Sequence, residues 1–140
     1  MAENTIPKMF FKNVKTFGIK PALRYKKGAV WLDINWNQFG EQVEGLAMGL
    51  LELGVKPKDK VAIISENRPE WAISDLAIIS IGAVGVPIYS TNIPSQVLHI
   101  LFNSEAKAIV VSTAEQLEKV FEVRDKIPNL KHIIIVDVPD

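Results

Sequence analysis

The sequence predicts an α/β fold in which helices cover a mainly parallel β-sheet, preceded by a small N-terminal β-hairpin. Strand-like apolar runs recur at nearly equal spacing and begin near Val61, Val84, Ala108 and His132. Helical patterns fill the intervals, at residues 70–80, 95–103 and 114–126. This alternation indicates right-handed βαβ crossovers and a parallel sheet. The strand cores VAII, GVPI, AIVV and IIIV are continuously apolar, which is typical of strands covered on both faces.

Two smaller elements precede these units. Residues 5–17 carry apolar side chains near helical spacing and predict a short amphipathic helix with Pro7 in its first turn. Residues 22–25 and 29–34 predict two short strands. Gly28 lies between them and can supply the positive φ of a hairpin turn.

A longer amphipathic helix is predicted to follow the hairpin. Asn35 and Gln38 have the spacing of a capping box, and Gly54 is placed to end the helix. Gly45 and Gly49 have GxxxG spacing. Because the same helix carries several acidic and amide side chains, we interpret these glycines as permitting close packing between soluble elements.

Length and composition limit the classes of protein to which this chain can belong. The 140 residues fit one domain, predicted as residues 1–140 without an internal boundary, and can bury roughly 70% of the unfolded surface. Sixteen basic and sixteen acidic side chains cancel, so we expect no nucleic-acid partner. The absence of cysteine excludes disulfides, thiolate metal sites and a cysteine nucleophile, and agrees with a cytoplasmic setting.

The sequence predicts neither a secretory signal nor a transmembrane segment. The start of the chain lacks a basic stretch followed by an apolar run. Residues 76–104 contain no charged side chain, but Gly82, Gly85, Pro87 and Pro94 interrupt them. We therefore expect a buried helix and strand there, followed by a loop.

Several chemistries lack the residues they need. His99 and His132 are the only histidines and have no evident partner ligands, so no metal site is predicted. No GxSxG nucleophile motif occurs. Gly82 and Gly85 precede a strand, whereas a phosphate loop follows one. We therefore assign no catalytic residue within the chain.

Ligands of open parallel sheets collect outside the carboxyl ends of the strands, which directs attention to the loops after the first two strands. In the first loop only Arg68 could hold a carboxylate or phosphate by two hydrogen bonds. The alternative is structural: Asn67 or Arg68 shapes the turn, Pro69 starts the next helix and Trp71 packs beneath it.

Three segments carry a resemblance to a known family: SENRPEW at residues 65–71, GAVGVPIYST at 82–91 and LFNSEAKAIVV at 101–111. With them the chain resembles the N-terminal region of the AMP-forming acyl-CoA synthetases (the adenylate-forming, AMP-binding superfamily), in particular the long-chain fatty-acid–CoA ligases. Residues 35–63 also fit, so the likeness covers most of the chain. The resemblance implies that a fatty-acid carboxylate attacks the α-phosphate of ATP, with Mg²⁺ shielding the phosphates, and that the CoA thiol then displaces AMP.

The resemblance also implies roles for single residues. In the family the segment after the second of these strands lies beside the CoA passage, which corresponds to Tyr89, Ser90 and Thr91. Tyr89 could stack on a nucleotide ring, and Ser90 and Thr91 could offer hydroxyl or backbone N–H groups. Many members carry proline where Ser90 stands. The alternative is that Tyr89 ends a strand and Thr91 or Asn92 caps the next helix.

The family holds ATP phosphates with a Ser/Thr/Gly-rich loop ending in Pro-Lys-Gly, and no such loop occurs up to Asp140. We therefore expect an N-terminal fragment that is inactive alone and binds no cofactor tightly. Exposed apolar surface would favour self-association as a homodimer, with Met9, Phe10 and Phe11 as a docking segment. A membrane-peripheral location of the complete protein stays open.

Two other interpretations remain. A medium-chain or aryl ligase of the same superfamily would share the strand–helix pattern. A free-standing flavodoxin-like binding or interaction module would share the fold class. A phosphate-receiver version of that module would need acidic side chains where Ser65 and Ser112 stand.

Overall fold

The computed structural model describes residues 4–138, so the two ends of the predicted 1–140 unit lie outside the described residues. In chain order the elements are α1 (Ile6–Phe17), β1 (Pro21–Lys27), β2 (Val30–Asn35), α2 (Trp36–Glu52), β3 (Lys60–Ser65), α3 (Pro69–Ser80), β4 (Val84–Tyr89), α4 (Pro94–Ser104), β5 (Ala108–Val111), α5 (Ala114–Val123) with a 3₁₀ turn (Arg124–Lys126), and β6 (His132–Ile135).

The predicted α/β architecture is confirmed. Strands β3 to β6 form one parallel sheet in the order β4-β3-β5-β6. Strands β1 and β2 form a separate antiparallel hairpin with Gly28 at positive φ between them. All four strands predicted from the apolar runs therefore lie in the same sheet.

Helices cover both faces of this sheet. Val61 and Ile63 of β3 pack in the apolar cluster that includes α1, α2 and α3. Ala62 and Ile64 pack in the cluster formed with α4 and α5. The chain places β4 on one side of β3 and β5 on the other, and right-handed crossovers then put α3 and α4 on opposite faces. The carboxyl ends of β3 and β5 mark this reversal, where open α/β sheets form their binding crevice.

The predicted capping box of α2 is present. The Asn35 side-chain oxygen accepts a hydrogen bond from the Gln38 backbone N–H at 2.9 Å, and the Gln38 side-chain oxygen accepts one from the Asn35 N–H at 3.0 Å. Gly54 has φ +79° and lies just beyond the end of the helix, as predicted.

We expect Asn35→Ala to lower the free energy of unfolding by about 1 kcal/mol, because a backbone donor of the first turn loses its acceptor. Urea titration followed by far-ultraviolet circular dichroism measures the change. Asn35→Asp keeps the acceptor and should unfold close to the parent. Equal losses in both variants would contradict the capping role.

The interpretation of Gly45 and Gly49 is wrong for the described residues. A Cβ atom added at either position would meet no atom within 4 Å, so nothing packs closely against them. The close approach occurs instead at Gly40, where an added Cβ would lie 2.9 Å from Val14 Cγ1 and 3.1 Å from its Cγ2. Gly40 thus sets the distance between α1 and α2.

Phe10 and Phe11, two neighbouring aromatic residues of α1, pack against other side chains of the chain. Phe10 is buried and makes edge-on ring contacts with Phe11 and Phe39, and a tilted contact with Trp36. Met9 is exposed. Phe10 and Phe11 therefore already have a packing partner without a second copy. No helix within residues 4–138 is both long enough and apolar enough to cross a membrane.

Candidate functional site

A cavity of about 560 Å³ opens at the carboxyl ends of β3 and β4. This volume lies within the range of roughly 300–1,000 Å³ that is usual for small-molecule sites. Trp71, Pro87 and Tyr89 supply apolar surface. The remaining lining residues are Ser65, Glu66, Asn67, Ile88, Ser90 and Thr91. The cavity therefore offers flat rings beside hydroxyl, amide and carboxylate groups.

The structure places Tyr89, Ser90 and Thr91 together in this cavity lining. Tyr89 ends β4 and is 81% exposed, so its ring is free to meet a ligand. The Asn92 N–H donates to the Tyr89 carbonyl at 3.0 Å and closes a turn over residues 89–92. The helix after this turn begins at Pro94 with Ile93 as its N-cap residue, so the expectation that Thr91 or Asn92 caps it is wrong.

A polar network joins the ends of three strands beside the cavity. The Glu66 carboxylate accepts from the Ser112 hydroxyl at 2.6 Å and from Gln116 Nε2 at 2.9 Å. Gln116 Nε2 also donates to the Ser90 carbonyl at 3.2 Å, and Lys119 Nζ donates to the same oxygen at 2.7 Å. Ser112 and Gln116 are buried. The network connects β3, β4 and β5 through two side chains of α5.

These contacts keep Glu66 ionised. Desolvation by burial opposes its charge, but the hydrogen bonds from Ser112 and Gln116 and the nearby charge of Arg68 outweigh it, so the pKa of Glu66 lies below its ordinary value. Both carboxylate oxygens already accept hydrogen bonds. Glu66 is therefore suited to anchoring the loops rather than to accepting a proton from a substrate at neutral pH.

Arg68 lies outside this cavity lining and holds two of the chain's own carboxylates. Its terminal nitrogens bind both oxygens of Asp137, at 2.7 and 2.9 Å, and its Nε binds Glu70 at 2.7 Å. Hydrogen bonding to Asp137 and then Glu70 raises the pKa of Arg68, and the same contact lowers the pKa of Asp137. Arg68 thus makes the predicted pair of hydrogen bonds to a carboxylate, but this carboxylate belongs to Asp137, which follows β6 in the same chain. Pro69 begins α3 at the next position.

Sequence reasoning drew attention to the loop that contains Glu66 without giving Glu66 a role, and it missed Gln116 and Lys119. Gln116 and Lys119 sit in an ordinary amphipathic helix, and nothing local marks them as partners of a carbonyl after β4. The order β4-β3-β5-β6, which the structure provides, places the ends of β3 and β5 side by side at the binding crevice. Among residues 4–138, no group of three or more His, Cys, Asp or Glu side chains is arranged to hold a metal ion.

Sequence comparison identifies relatives across most of the chain. A long-chain-fatty-acid–CoA ligase of Xenopus laevis, ACSBG2, is 36% identical over 130 residues, which is 93% of this chain and 18% of that protein. A long-chain-fatty-acid–CoA ligase of Mycobacterium bovis, FadD15, is 39% identical over 105 residues, which is 75% of this chain and 18% of that protein. The chain thus spans less than one fifth of the length of these relatives.

Solved structures share the fold. The N-terminal domain of FACL13 from Mycobacterium tuberculosis superposes with a TM-score of 0.87 at 22% identity, covering 96% of this chain and 34% of that one. The long-chain-fatty-acid–CoA ligase FadD1 from Archaeoglobus fulgidus gives a TM-score of 0.83 at 22% identity, covering 95% and 27%. The sequence profile of the AMP-binding enzymes matches residues 10–140. This chain therefore belongs to the family of AMP-binding enzymes.

Proposed function

We propose that the chain is the N-terminal part of a long-chain fatty-acid–CoA ligase, which makes acyl-CoA, AMP and pyrophosphate from a fatty acid, ATP and CoA. The observation that carries this proposal is the identity of 36 to 39% with proteins named as long-chain ligases, over three quarters or more of the chain. Within this proposal, the cavity at the ends of β3 and β4 is a site where the chain could bind part of a substrate of that reaction.

The same comparison favours this proposal over its alternatives. A structural neighbour named as an anthranilate CoA ligase has a TM-score of 0.83 but 23% identity, which supports the shared fold and does not favour an aryl substrate. A free-standing flavodoxin-like module would have the same type of strand order. The sequence relatives, however, are CoA ligases.

Within residues 4–138, the glycine segment at Gly82 does not fit the phosphates of ATP, and no group of three or more His, Cys, Asp or Glu side chains is arranged to hold Mg²⁺. Gly82 has φ +74° and follows the end of α3, so this glycine segment leads into β4 instead of opening a helix onto phosphates. We therefore propose that other parts of the complete enzyme hold ATP and Mg²⁺, and we assign them no residue here.

The cavity residues do fit a portion of CoA, whose thiol would displace AMP from the acyl-adenylate. The exposed Tyr89 ring can stack on an adenine base. The Ser90 and Thr91 side chains and backbone can donate hydrogen bonds to its polar groups. Arg68 is a further proposed anion contact, but an incoming phosphate would have to compete with Asp137, which is half exposed.

The test of the proposed function is formation of palmitoyl-CoA from palmitate, ATP, Mg²⁺ and CoA by the full-length protein that carries this chain. The 140-residue chain alone should remain at background, because none of its described residues forms a phosphate loop. A full-length protein that makes no acyl-CoA from any fatty acid would overturn the proposal. Turnover by the chain alone would overturn the assignment of ATP to other parts.

We expect Tyr89→Ala in the full-length enzyme to raise the KM for CoA about tenfold, since stacking of a base on an aromatic ring contributes roughly 1–3 kcal/mol. Fatty-acid-dependent ATP–pyrophosphate exchange does not need CoA and should stay unchanged. Phe121→Ala, which removes an aromatic ring that is also exposed, is the matched control. Equal KM values for CoA in both variants would exclude Tyr89 from the CoA site.

We further propose that the isolated chain self-associates as a homodimer. Val30 and Trp31 of β2 are 59% and 62% exposed and are better candidates for the contact than the covered Phe10 and Phe11. Light scattering across a dilution series tests this. A constant monomer mass at high concentration would contradict it.

A further inference from the structure

The carbonyl oxygen of Ser90 is held by two side chains that do not line the cavity. Gln116 Nε2 donates to it at 3.2 Å and Lys119 Nζ at 2.7 Å. Both side chains come from α5, one helical turn apart. Gln116 is 2% exposed, and the Lys119 side chain is 17% exposed. Lys119 Nζ also lies 3.5 Å from the exposed Glu115 carboxylate on the same helix, but its shorter contact is to the Ser90 carbonyl. A mostly buried lysine that donates to a backbone carbonyl is unusual, because lysine normally faces water.

The orientation of the Gln116 amide is fixed by what surrounds it. Its Nε2 group donates both to Ser90 and to Glu66, whereas its Oε1 is buried without a hydrogen-bond partner among the described residues. Turning the amide over would bring Oε1 against the ionised Glu66 carboxylate and the Ser90 carbonyl. In the observed orientation Gln116 Oε1 has no hydrogen-bond partner, while Nε2 donates to both Glu66 and Ser90.

Holding one carbonyl orients the whole peptide unit between Ser90 and Thr91. The peptide is planar and trans, so its N–H points opposite to its C=O. Because the Ser90 C=O is directed at α5, the Thr91 N–H is directed away from α5. The turn bond from Asn92 N–H to Tyr89 C=O limits the rotation of the neighbouring peptides. Loss of the two α5 contacts would free this peptide to rotate.

We propose that Gln116 and Lys119 are positioning residues for CoA: they fix the turn of residues 89–92 so that Tyr89 and Thr91 meet the cofactor in one geometry. This inference rests on the proposed ligase function. It assigns α5 a role in the second half-reaction, thioester formation. The formation of the acyl-adenylate does not depend on the turn.

The first experiment uses the 140-residue chain and needs no ligase activity. Amide hydrogen exchange of residues 89–92 is compared among the parent, Gln116→Met and Lys119→Met. Since each variant removes a donor from the Ser90 carbonyl, we expect exchange of the Asn92 amide, which donates to the Tyr89 carbonyl, to rise about tenfold while β3 and β5 remain protected. Gln42→Met is the matched control, because Gln42 is an exposed helical glutamine. Unchanged exchange in both variants would overturn the proposal.

The second experiment uses the full-length enzyme and separates the half-reactions. We expect Gln116→Met and Lys119→Met to raise the KM for CoA about tenfold and to leave fatty-acid-dependent ATP–pyrophosphate exchange within about twofold of the parent. If both half-reactions fall together, the two residues have only a structural role and the proposal fails. If Gln116→Met does not fold, Lys119→Met decides, since Lys119 is less buried. If the parent enzyme forms no acyl-CoA at all, the proposed ligase function is refuted. The amide hydrogen-exchange result on the isolated chain would still show whether Gln116 and Lys119 fix the turn.

Discussion

We expect that replacing Gly40 with leucine lowers the free energy of unfolding by about 3 kcal/mol, the upper end of the usual cost of overpacking. A Cβ atom at this position would lie 2.9 and 3.1 Å from the two methyl groups of Val14. Val14 lies in α1, and a β-branched side chain in a helix is largely restricted to one χ1 rotamer, so its methyl groups cannot easily rotate away. The helices α1 and α2 would have to separate, which would disturb the packing of Phe10 on Phe39.

Gly45→Leu is the matched control for this prediction, because Gly45 lies on the same helix and a Cβ atom added there would meet no atom within 4 Å. Leucine forms helix better than glycine, so this variant should gain about 0.5–1 kcal/mol. Urea titrations give both values. In the background Val14→Ala, Gly40→Ala should cost less than it does in the parent. Equal effects at Gly40 and Gly45 would show that the α1–α2 contact does not depend on Gly40.

Replacing Glu66 with leucine is the second change with a large expected effect, about 2 kcal/mol, because it removes the acceptor of the buried Ser112 hydroxyl and one of the two acceptors of Gln116 Nε2. The loss is smaller than that for a buried carboxylate, because the Glu66 residue itself is exposed. Glu118→Leu removes an exposed carboxylate from α5 and is the control. If both variants unfold at the same urea concentration as the parent, the network does not stabilise the fold.

The same network predicts a pH dependence. The pKa of Glu66 is lower in the folded chain than its ordinary value of 4.5, so its contribution to stability is complete above that value. The contribution is lost as the pH falls through the folded-state pKa. The difference in unfolding free energy between the parent and Glu66→Leu should therefore shrink below pH 4.5. Asp33, Asp59 and Asp137, whose pKa values are also lowered, are present in both proteins and cancel in this difference. If the difference in unfolding free energy between the parent and Glu66→Leu does not change with pH, the ionised form of Glu66 does not stabilise the fold.

Much of the fold followed from local patterns. The apolar runs VAII and AIVV predicted buried strands because a strand covered on both faces excludes polar side chains at every position. The Asn35 and Gln38 pair predicted a helix start because the capping box needs only residues three apart. The loop containing Tyr89, Ser90 and Thr91 was predicted to lie at a binding edge because ligands of parallel sheets collect there. Its role toward CoA stays a proposal.

Two predictions were wrong, one on a contact between distant parts of the chain and one on a local helix start. GxxxG spacing drew attention to Gly45 and Gly49, but the spacing does not reveal which helix face meets a neighbour. That depends on how α1 crosses α2, and the crossing selects Gly40. The cap of α4 was misplaced for a local reason: the helix starts only at Pro94, so Ile93, which has no side-chain acceptor, occupies the N-cap position.

The sequence by itself determined the α/β class, the positions of the strands, the family resemblance and the loops in which a ligand could bind. These properties depend on periodicity, capping and motif residues that are close together in the chain. Only the tertiary structure decided that Arg68 binds Asp137 and that Gln116 and Lys119 hold the Ser90 carbonyl. Those contacts arise because the strand order β4-β3-β5-β6 brings together loop ends that are far apart in the chain, and a hydrogen bond forms only where the fold brings donor and acceptor within about 3 Å.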